Sequence, residues 1–176
     1  VQRLEQRKNE LSSQLNALKD TADKNEKAAE IAKQNAQTNG ILSGRLAATG
    51  EGVVIRISQG SKQKIDSAIL FTLLEELRNS GAEVIEINNV RVVTSTYISG
   101  TAGSLVCDGT KLKSPFTIRA IGDSDNLQNA VNLAGGVGSR LKVKYGATVS
   151  VSPSDKVMIK STRQAPQYTY AHVIGQ

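Results

Sequence analysis

The sequence has no tryptophan, and aromatic residues make up only 3% of its 176 positions. Any hydrophobic core must therefore be built from Val, Ile, Leu and Ala. Such a core is feasible, because burial contributes about 25 cal/mol per Å² of apolar surface whichever residue supplies it. A single cysteine, Cys107, excludes an internal disulfide. It closes the short apolar run Ser104-Leu105-Val106-Cys107, where a free thiol reads as a small buried hydrophobe. The one histidine, His172, lies in the C-terminal tail. A Cys–His or Ser–His–Asp nucleophilic system would have to be assembled from that tail, some 65 residues from Cys107, and transition-metal sites, which need several His or Cys ligands at fixed spacing, lack the residues to form. No cofactor or metal is expected. No apolar run approaches the ~20 residues that span a bilayer, and no signal peptide is visible. The first residue is Val rather than Met, so the chain reads as a fragment, with any anchor N-terminal to it out of sight.

Residues 1–38 contain neither Gly nor Pro and are rich in Ala, Gln, Glu, Lys and Asn. In a heptad frame, Val1, Lys8, Leu15, Ala22 and Ala29 occupy a, and Leu4, Leu11, Leu18, Asn25 and Ala32 occupy d. The first three heptads carry a seam, which then fades into Ala and Asn. Leucines at 3.5-residue spacing favour helix pairing, because only a partner removes that stripe from water. The candidate seam is Val1, Leu4, Leu11, Leu15, Leu18 and Ala22, with Asn25 placed to fix register. No second heptad segment exists in the chain, so pairing would be with another copy or another protein. The alternative is a lone amphipathic helix docked on its own domain.

Asn39-Gly40 and Gly44 are expected to end this helix, leaving a linker over 39–50. A domain over 51–163 and an extended tail over 164–176 follow. Val53–Ile57 predicts a buried strand. Ile69, Leu70, Leu73, Leu74 and Leu77 predict an amphipathic helix opened at Ile65 or Asp66 and stopped at Gly81. Glu83–Ile87 and a strand over Val90–Val93, with a longer alternative reaching Ile98, flank an Asn88-Asn89 type I′ turn. Asp108-Gly109 marks a second hairpin, between Leu105–Cys107 and Lys111-Leu112. Phe116–Ile121 is a strand, and Asp123-Ser124-Asp125 caps the next helix. Residues 137–145 fit helix or strand, with Gly146 as a stop favouring helix. Thr148–Val151 and Val157–Ile159 read as two strands separated by Pro153-Ser154-Asp155. Helices placed among hairpins predict an α+β fold: a coiled-coil helix, then a two-layer, ferredoxin-like sandwich with a largely antiparallel sheet.

A catalytic or binding constellation does not emerge from this pattern. Glu75-Glu76 point about 100° apart on their helix, and Glu83 and Glu86 fall on opposite faces of a strand. Three glycine clusters, at 50–52, 100–103 and 135–138, read as turns. None has the strand-to-helix context of a dinucleotide fingerprint or the Gly-Lys-Ser/Thr ending of a P-loop. The net charge of +6 leaves an anionic partner open without selecting one. Arg140, Lys142 and Lys144 form a candidate basic patch, and Lys111 with Lys113 a smaller one. A sheet that reads single-stranded RNA needs stacked aromatics, and only Tyr97 and Phe116 lie near candidate strands. A nucleic-acid partner is therefore not expected, though weak binding to an anionic surface through 140–144 stays open.

Two longer segments carry a resemblance. Gly81-Ala82-Glu83-Val84-Ile85-Glu86-Ile87-Asn88, followed by Arg91, resembles the G-A-E-x-I-x-I-N-x-x-R signature of the YlxW-like family of bacterial proteins of unknown function. Pro115-Phe116-Thr117-Ile118-Arg119-Ala120-Ile121-Gly122-Asp123 resembles that family's P-(F/Y)-x-I-x-A-I-G-(D/N) segment. Leu42-Ser43-Gly44, Gly50-Glu51-Gly52-Val53-Val54 and Tyr170-Ala171 resemble its linker, first strand and ending, so the similarity covers about 41–172. Asn89 stands where the family often has Gly, and Glu51 where Pro is common.

The resemblance implies a single-pass cell-membrane protein: an anchor, a coiled coil, then this domain outside the cytoplasm. It also implies an association with cell division, and it brings no catalytic residues. Together these observations predict a non-enzymatic structural or interaction protein of the cell envelope. It would pair with itself or with another envelope or division protein through the coiled coil. Arg91 is the residue to watch. Beside a turn, it either pairs internally with an acid such as Glu86 or contacts an anionic ligand, and the second role, shared with the loop 100–104, would make the domain a ligand sensor.

Overall fold

The structure, a computed structural model, describes residues 1–165 and 167–175. The chain divides into two compact units, Val1–Asn39 and Gly40–Gln176. The first is helical throughout, as part of α1 (Gln2–Leu42). At 1.5 Å per residue, this 41-residue helix is about 60 Å long.

Helix α1 passes the expected stop at Asn39-Gly40. A glycine inside a helix costs only about 1 kcal/mol relative to alanine. Here its missing side chain leaves room for Leu46, whose Cδ1 would lie 2.6 Å from a Cβ at position 40. The stop comes at Gly44, which takes φ +78° and donates its N–H to the Ile41 carbonyl at 3.0 Å.

The second unit runs β1 (Ala48–Ser58), α2 (Ser67–Asn79), β2 (Val84–Ile87), β3 (Val90–Val92), β4 (Ile98–Thr101), β5 (Ser104–Cys107), β6 (Thr110–Leu112), β7 (Phe116–Ile121), α3 (Ser124–Asn132), α4 (Val137–Val143) and β8 (Thr148–Ile159). The main sheet has the order β3-β2-β7-β1-β8, and all its pairs are antiparallel. Without the edge strand β3, this is the β-α-β-β-α-β order of a ferredoxin-like, two-layer α+β sandwich. Strands β4, β5 and β6 form a separate three-stranded sheet inserted between β3 and β7.

Alternation along the strands sets the layers. Val53, Ile55 and Ile57 of β1, Ile85 and Ile87 of β2, and Phe116, Ile118 and Ala120 of β7 are buried. They share one aliphatic core with Leu70, Leu73, Leu74 and Leu77 of α2, Leu127 of α3 and Leu141 of α4. Asp66 and Asp123 cap α2 and α3, each accepting a backbone N–H at 2.9 Å. Asn88 and Asn89 take φ 45° and 64°, the left-handed pair a type I′ turn requires. The opposite face of the sheet carries a smaller cluster of Val84, Ile121, Val157 and Ile159, against which Ile41 and Ala48 pack.

Several expectations change. Gly50-Glu51-Gly52 is not a turn but part of β1, with a bulge between the two glycines. The backbone approach there is close: a Cβ at Gly52 would lie 1.9 Å from the Ala120 carbonyl oxygen. The two strands expected at 148–151 and 157–159 are one, β8. Pro153 is tolerated because β8 lies at the sheet edge, where a missing N–H breaks no ladder. Strand β3 (Val90–Val92) matches the shorter expected strand and not the extension to Ile98, since the Val93 N–H bonds to Thr96 Oγ1 at 2.8 Å and the chain turns away. Residues 137–145 open as helix α4. Part of the expected extended tail, Pro166 and Gln176, lies outside the described residues.

The expected single-pass membrane placement is corrected. Among the described residues, no helix is long and apolar enough to cross a membrane. Helix α1 has the length, but Lys, Arg, Glu, Gln and Asn are spread along it.

Candidate functional site

The candidate seam lies wholly on α1, in which no residue is buried. Leu4, Leu11, Leu15 and Leu18 are 75%, 64%, 57% and 68% exposed, and Val1 and Ala22 are exposed as well. Positions 4, 8, 11, 15 and 18 recur at four- and three-residue steps, which places them on one face of the helix. Lys8 interrupts the leucines. Its methylene stem can follow the apolar stripe while the ammonium stays in water. Leu4, Lys8, Leu11 and Leu15 border a shallow apolar depression with Arg7 and Ser12. Asn25, the candidate register residue, is exposed.

Arg91 has a different environment from either one expected. It is 2% exposed. Its Nη1 donates to the carbonyls of Leu46 and Ser161 at 2.9 and 3.0 Å, and its Nη2 to the carbonyl of Ile41 at 2.8 Å. The Ile41 carbonyl belongs to the last turn of α1, where a guanidinium commonly satisfies a helix terminus. Burial lowers the Arg91 pKa, and the nearby charge of Glu86 acts in the opposite direction.

Glu86 is the direct cross-strand neighbour of Arg91 on one side and of Arg119 on the other. The ion pair forms with Arg119, Nη1 to Oε1 at 3.3 Å, and the other carboxylate oxygen accepts from Ser161 Oγ at 2.9 Å. Arg91 therefore clamps the α1 end, the linker and the tail together rather than presenting a charge to a ligand. With its guanidinium occupied by these carbonyls, the sensor role drawn from Arg91 is set aside.

A second arginine completes this clamp. Arg163 donates its backbone N–H to the Gly44 carbonyl at 2.7 Å. Its guanidinium pairs with Asp108 and reaches Thr96 Oγ1 at 3.1 Å. Sequence reasoning did not single out Arg163, Ser161 or Asp108 for this role, and only Asp108 carried a signal, as a hairpin residue.

Arg140, Lys142 and Lys144 are exposed on and just after α4. Arg140 and Lys144 share a face at i, i+4, and Lys142 points elsewhere. Lys144 Nζ lies 5.5 Å from the centre of the Tyr145 ring, and Lys62 Nζ donates to the Val143 carbonyl at 3.1 Å. All three residues sit at the C-terminal end of a short helix, where cations complement its dipole.

Cys107 is buried, and desolvation, with Asp108 adding to it, pushes its thiol up to about 11. Such a thiol stays protonated and inert at neutral pH. Among the described residues, no group of His, Cys, Asp and Glu could hold a metal ion.

Residues 35–172 match a bacterial family of proteins of unknown function, DUF881. The chain belongs to the DUF881 family. DUF881 relatives include the UPF0749 protein Rv1825 of Mycobacterium tuberculosis, 34% identical over 94% of this chain and 57% of its own length. The UPF0749 protein YlxW of Bacillus subtilis is 30% identical over 66% of this chain and 54% of its own length. The chain thus spans little more than half the length of these curated DUF881 relatives. A crystal structure of an uncharacterized conserved protein from Mycobacterium tuberculosis superposes with a TM-score of 0.72 at 35% identity, covering 80% of this chain and 99% of that one.

Proposed function

We propose that this chain is a non-enzymatic assembly protein that pairs with a second copy of itself through α1. The names of its relatives state no activity or partner, so the reading stands on the helix. The observation that carries it is the leucine stripe at 4, 11, 15 and 18, more than half exposed at every position.

The magnitude is sufficient. Two copies would cover eight leucines in all, worth about 12 kcal/mol at the lower value of ~1.5 kcal/mol per leucine. Loss of translational and rotational freedom takes back at least ~4 kcal/mol. The remainder, at most ~8 kcal/mol, sets a dissociation constant no tighter than about 1 μM. Lys8 in the seam and the fading of the pattern beyond Ala22 weaken the pair from there.

Sedimentation equilibrium of the full chain tests this. The native chain should form dimers or higher species at hundreds of micromolar (about a hundred times that limit or more), and the Leu11→Asp/Leu18→Asp variant should be a monomer. A native chain that stays strictly monomeric, or a variant with unchanged mass, would refute pairing through the stripe.

A further inference from the structure

A groove of about 680 Å³ lies on the face of the main sheet turned away from α2, α3 and α4. Its floor comes from strand residues of opposite parity to the core: Val54 of β1, Glu86 of β2 and Arg119 of β7. The final residues of β8, together with Lys160 and Ser161, form its wall.

The charges in the groove are unbalanced. Arg119, Lys156 and Lys160 line it, and Glu86 is the one acid among its lining residues. Glu86 is 3% exposed, and its carboxylate is already bonded to Arg119 and Ser161. That carboxylate holds the guanidinium from one side. Among the described residues the other N–H groups of Arg119 have no partner, so the fork is positioned on one edge and open on the other. A planar guanidinium held in this way suits two-point recognition of a phosphate or carboxylate. Lys156, on β8, and Lys160, just past its end, are four residues apart, roughly 13 Å along extended backbone. Neither forms an ion pair among the described residues. Asp155, the neighbouring acid, is exposed and does not line the groove. Val54 and Met158 give the groove an apolar portion, with the buried Val157 beneath.

The geometry points to a binding site for a small organic anion that combines a phosphate or carboxylate group with an apolar portion. Arg119 grips the anionic group, Lys156 and Lys160 guard the rim, and Val54 and Met158 receive the apolar part. This site is separate from the seam on α1 and does not depend on pairing.

The test is an amide-resolved NMR titration of the full chain with hexyl phosphate, inorganic phosphate and hexanol. Hexyl phosphate should give saturable shifts concentrated at Val54, Arg119 and residues 154–161, with tighter binding than either other probe. The Lys156→Gln/Lys160→Gln variant leaves the buried Glu86 pair untouched and should weaken binding about tenfold or more, the loss of ~1.4 kcal/mol. Arg119→Lys, which keeps the charge but not the fork, should weaken it as well. No saturation by about 10 mM, a level weaker than any specific site, would overturn the proposal. So would shifts spread over all surface lysines, or an affinity unchanged in the double variant.

Discussion

Arg91 offers the sharpest test of how this domain is held together. Its guanidinium satisfies carbonyls from three segments, at Ile41, Leu46 and Ser161. Replacing it with alanine removes three charge-assisted hydrogen bonds. The Ile41 carbonyl keeps a second donor, the Gly44 N–H. The Leu46 and Ser161 carbonyls lose a buried donor, at about 1–3 kcal/mol each. Glu86 also loses a nearby positive charge. Arg91→Ala should therefore cost about 4 kcal/mol. Arg91→Lys keeps the charge but cannot reach three carbonyls from one point, and should cost about half as much. Glu86→Gln retains partners in Arg119 and Ser161, so it should cost only about 1 kcal/mol.

Native-state hydrogen exchange at Ile118 and Ala120, in the middle of β7, reads the opening of this unit separately from α1. A loss of 4 kcal/mol accelerates exchange there about a thousandfold. If Glu86→Gln were as damaging as Arg91→Ala, the ion pair rather than the carbonyl clamp would hold the arginine. A loss below about 1.5 kcal/mol for Arg91→Ala, less than one hydrogen bond to a charged group, would refute the clamp outright.

Two further outcomes follow from close contacts elsewhere. Gly52→Ala forces a Cβ to 1.9 Å from the Ala120 carbonyl oxygen, a backbone atom that cannot swing aside. It should destabilise by about 3 kcal/mol or more, read as a lower urea midpoint with an unchanged slope. Tyr145 donates its hydroxyl to Asp66 at 2.7 Å, and burial, reinforced by that hydrogen bond and by the Asp66 charge, pushes its pKa from 10.0 up to about 12. The unfolded chain releases this proton near pH 10, whereas the folded chain keeps it. The stability it contributes is thus whole below pH 10 and is lost as pH rises towards 12. Absorbance titration near 295 nm should show one late phase that disappears in Tyr145→Phe and moves to lower pH in Asp66→Asn. A titration with no late phase would refute the burial of this hydroxyl.

Patterns of period 2 and 3.6 made most of the architecture legible. Ile69, Leu70, Leu73, Leu74 and Leu77 announce α2, and Asp66 announces its start. Asn88-Asn89 announces the hairpin, because few other residue pairs tolerate two left-handed conformations in succession. What stayed hidden depends on partners distant in sequence. Gly50-Glu51-Gly52 reads as a turn until the Ala120 backbone is seen packed against Gly52. Pro153 reads as a break until β8 is known to lie at the sheet edge. The Arg91–Glu86 neighbourhood was legible from hairpin register. The partners that decide it were not, because Ile41, Leu46 and Ser161 contribute carbonyls, and every residue has one. Likewise Arg119 fits the pattern of an ordinary strand residue. It comes to line one groove with Lys156 and Lys160 only once β8 takes its place at the edge of the sheet.

The interior polar chemistry bears on the choice between an enzyme and an assembly protein. Catalytic sites tend to keep ionisable groups in a cleft with perturbed affinities for protons. In this chain the groups with shifted affinities are Arg91, Cys107 and Tyr145. Arg91 is bonded to carbonyls, Cys107 sits in the aliphatic core, and Tyr145 is tied to the residue that caps α2. Among the described residues, no buried side-chain polar atom lacks a partner. Each perturbed group thus has a structural cause, and each would have to break a folding contact before it could act on a substrate. Groups without such commitments lie elsewhere: the leucines of α1, and Lys156 and Lys160 at the groove beside β8. A function that left the core intact would use those surfaces, one to join chains and the other to hold an anion.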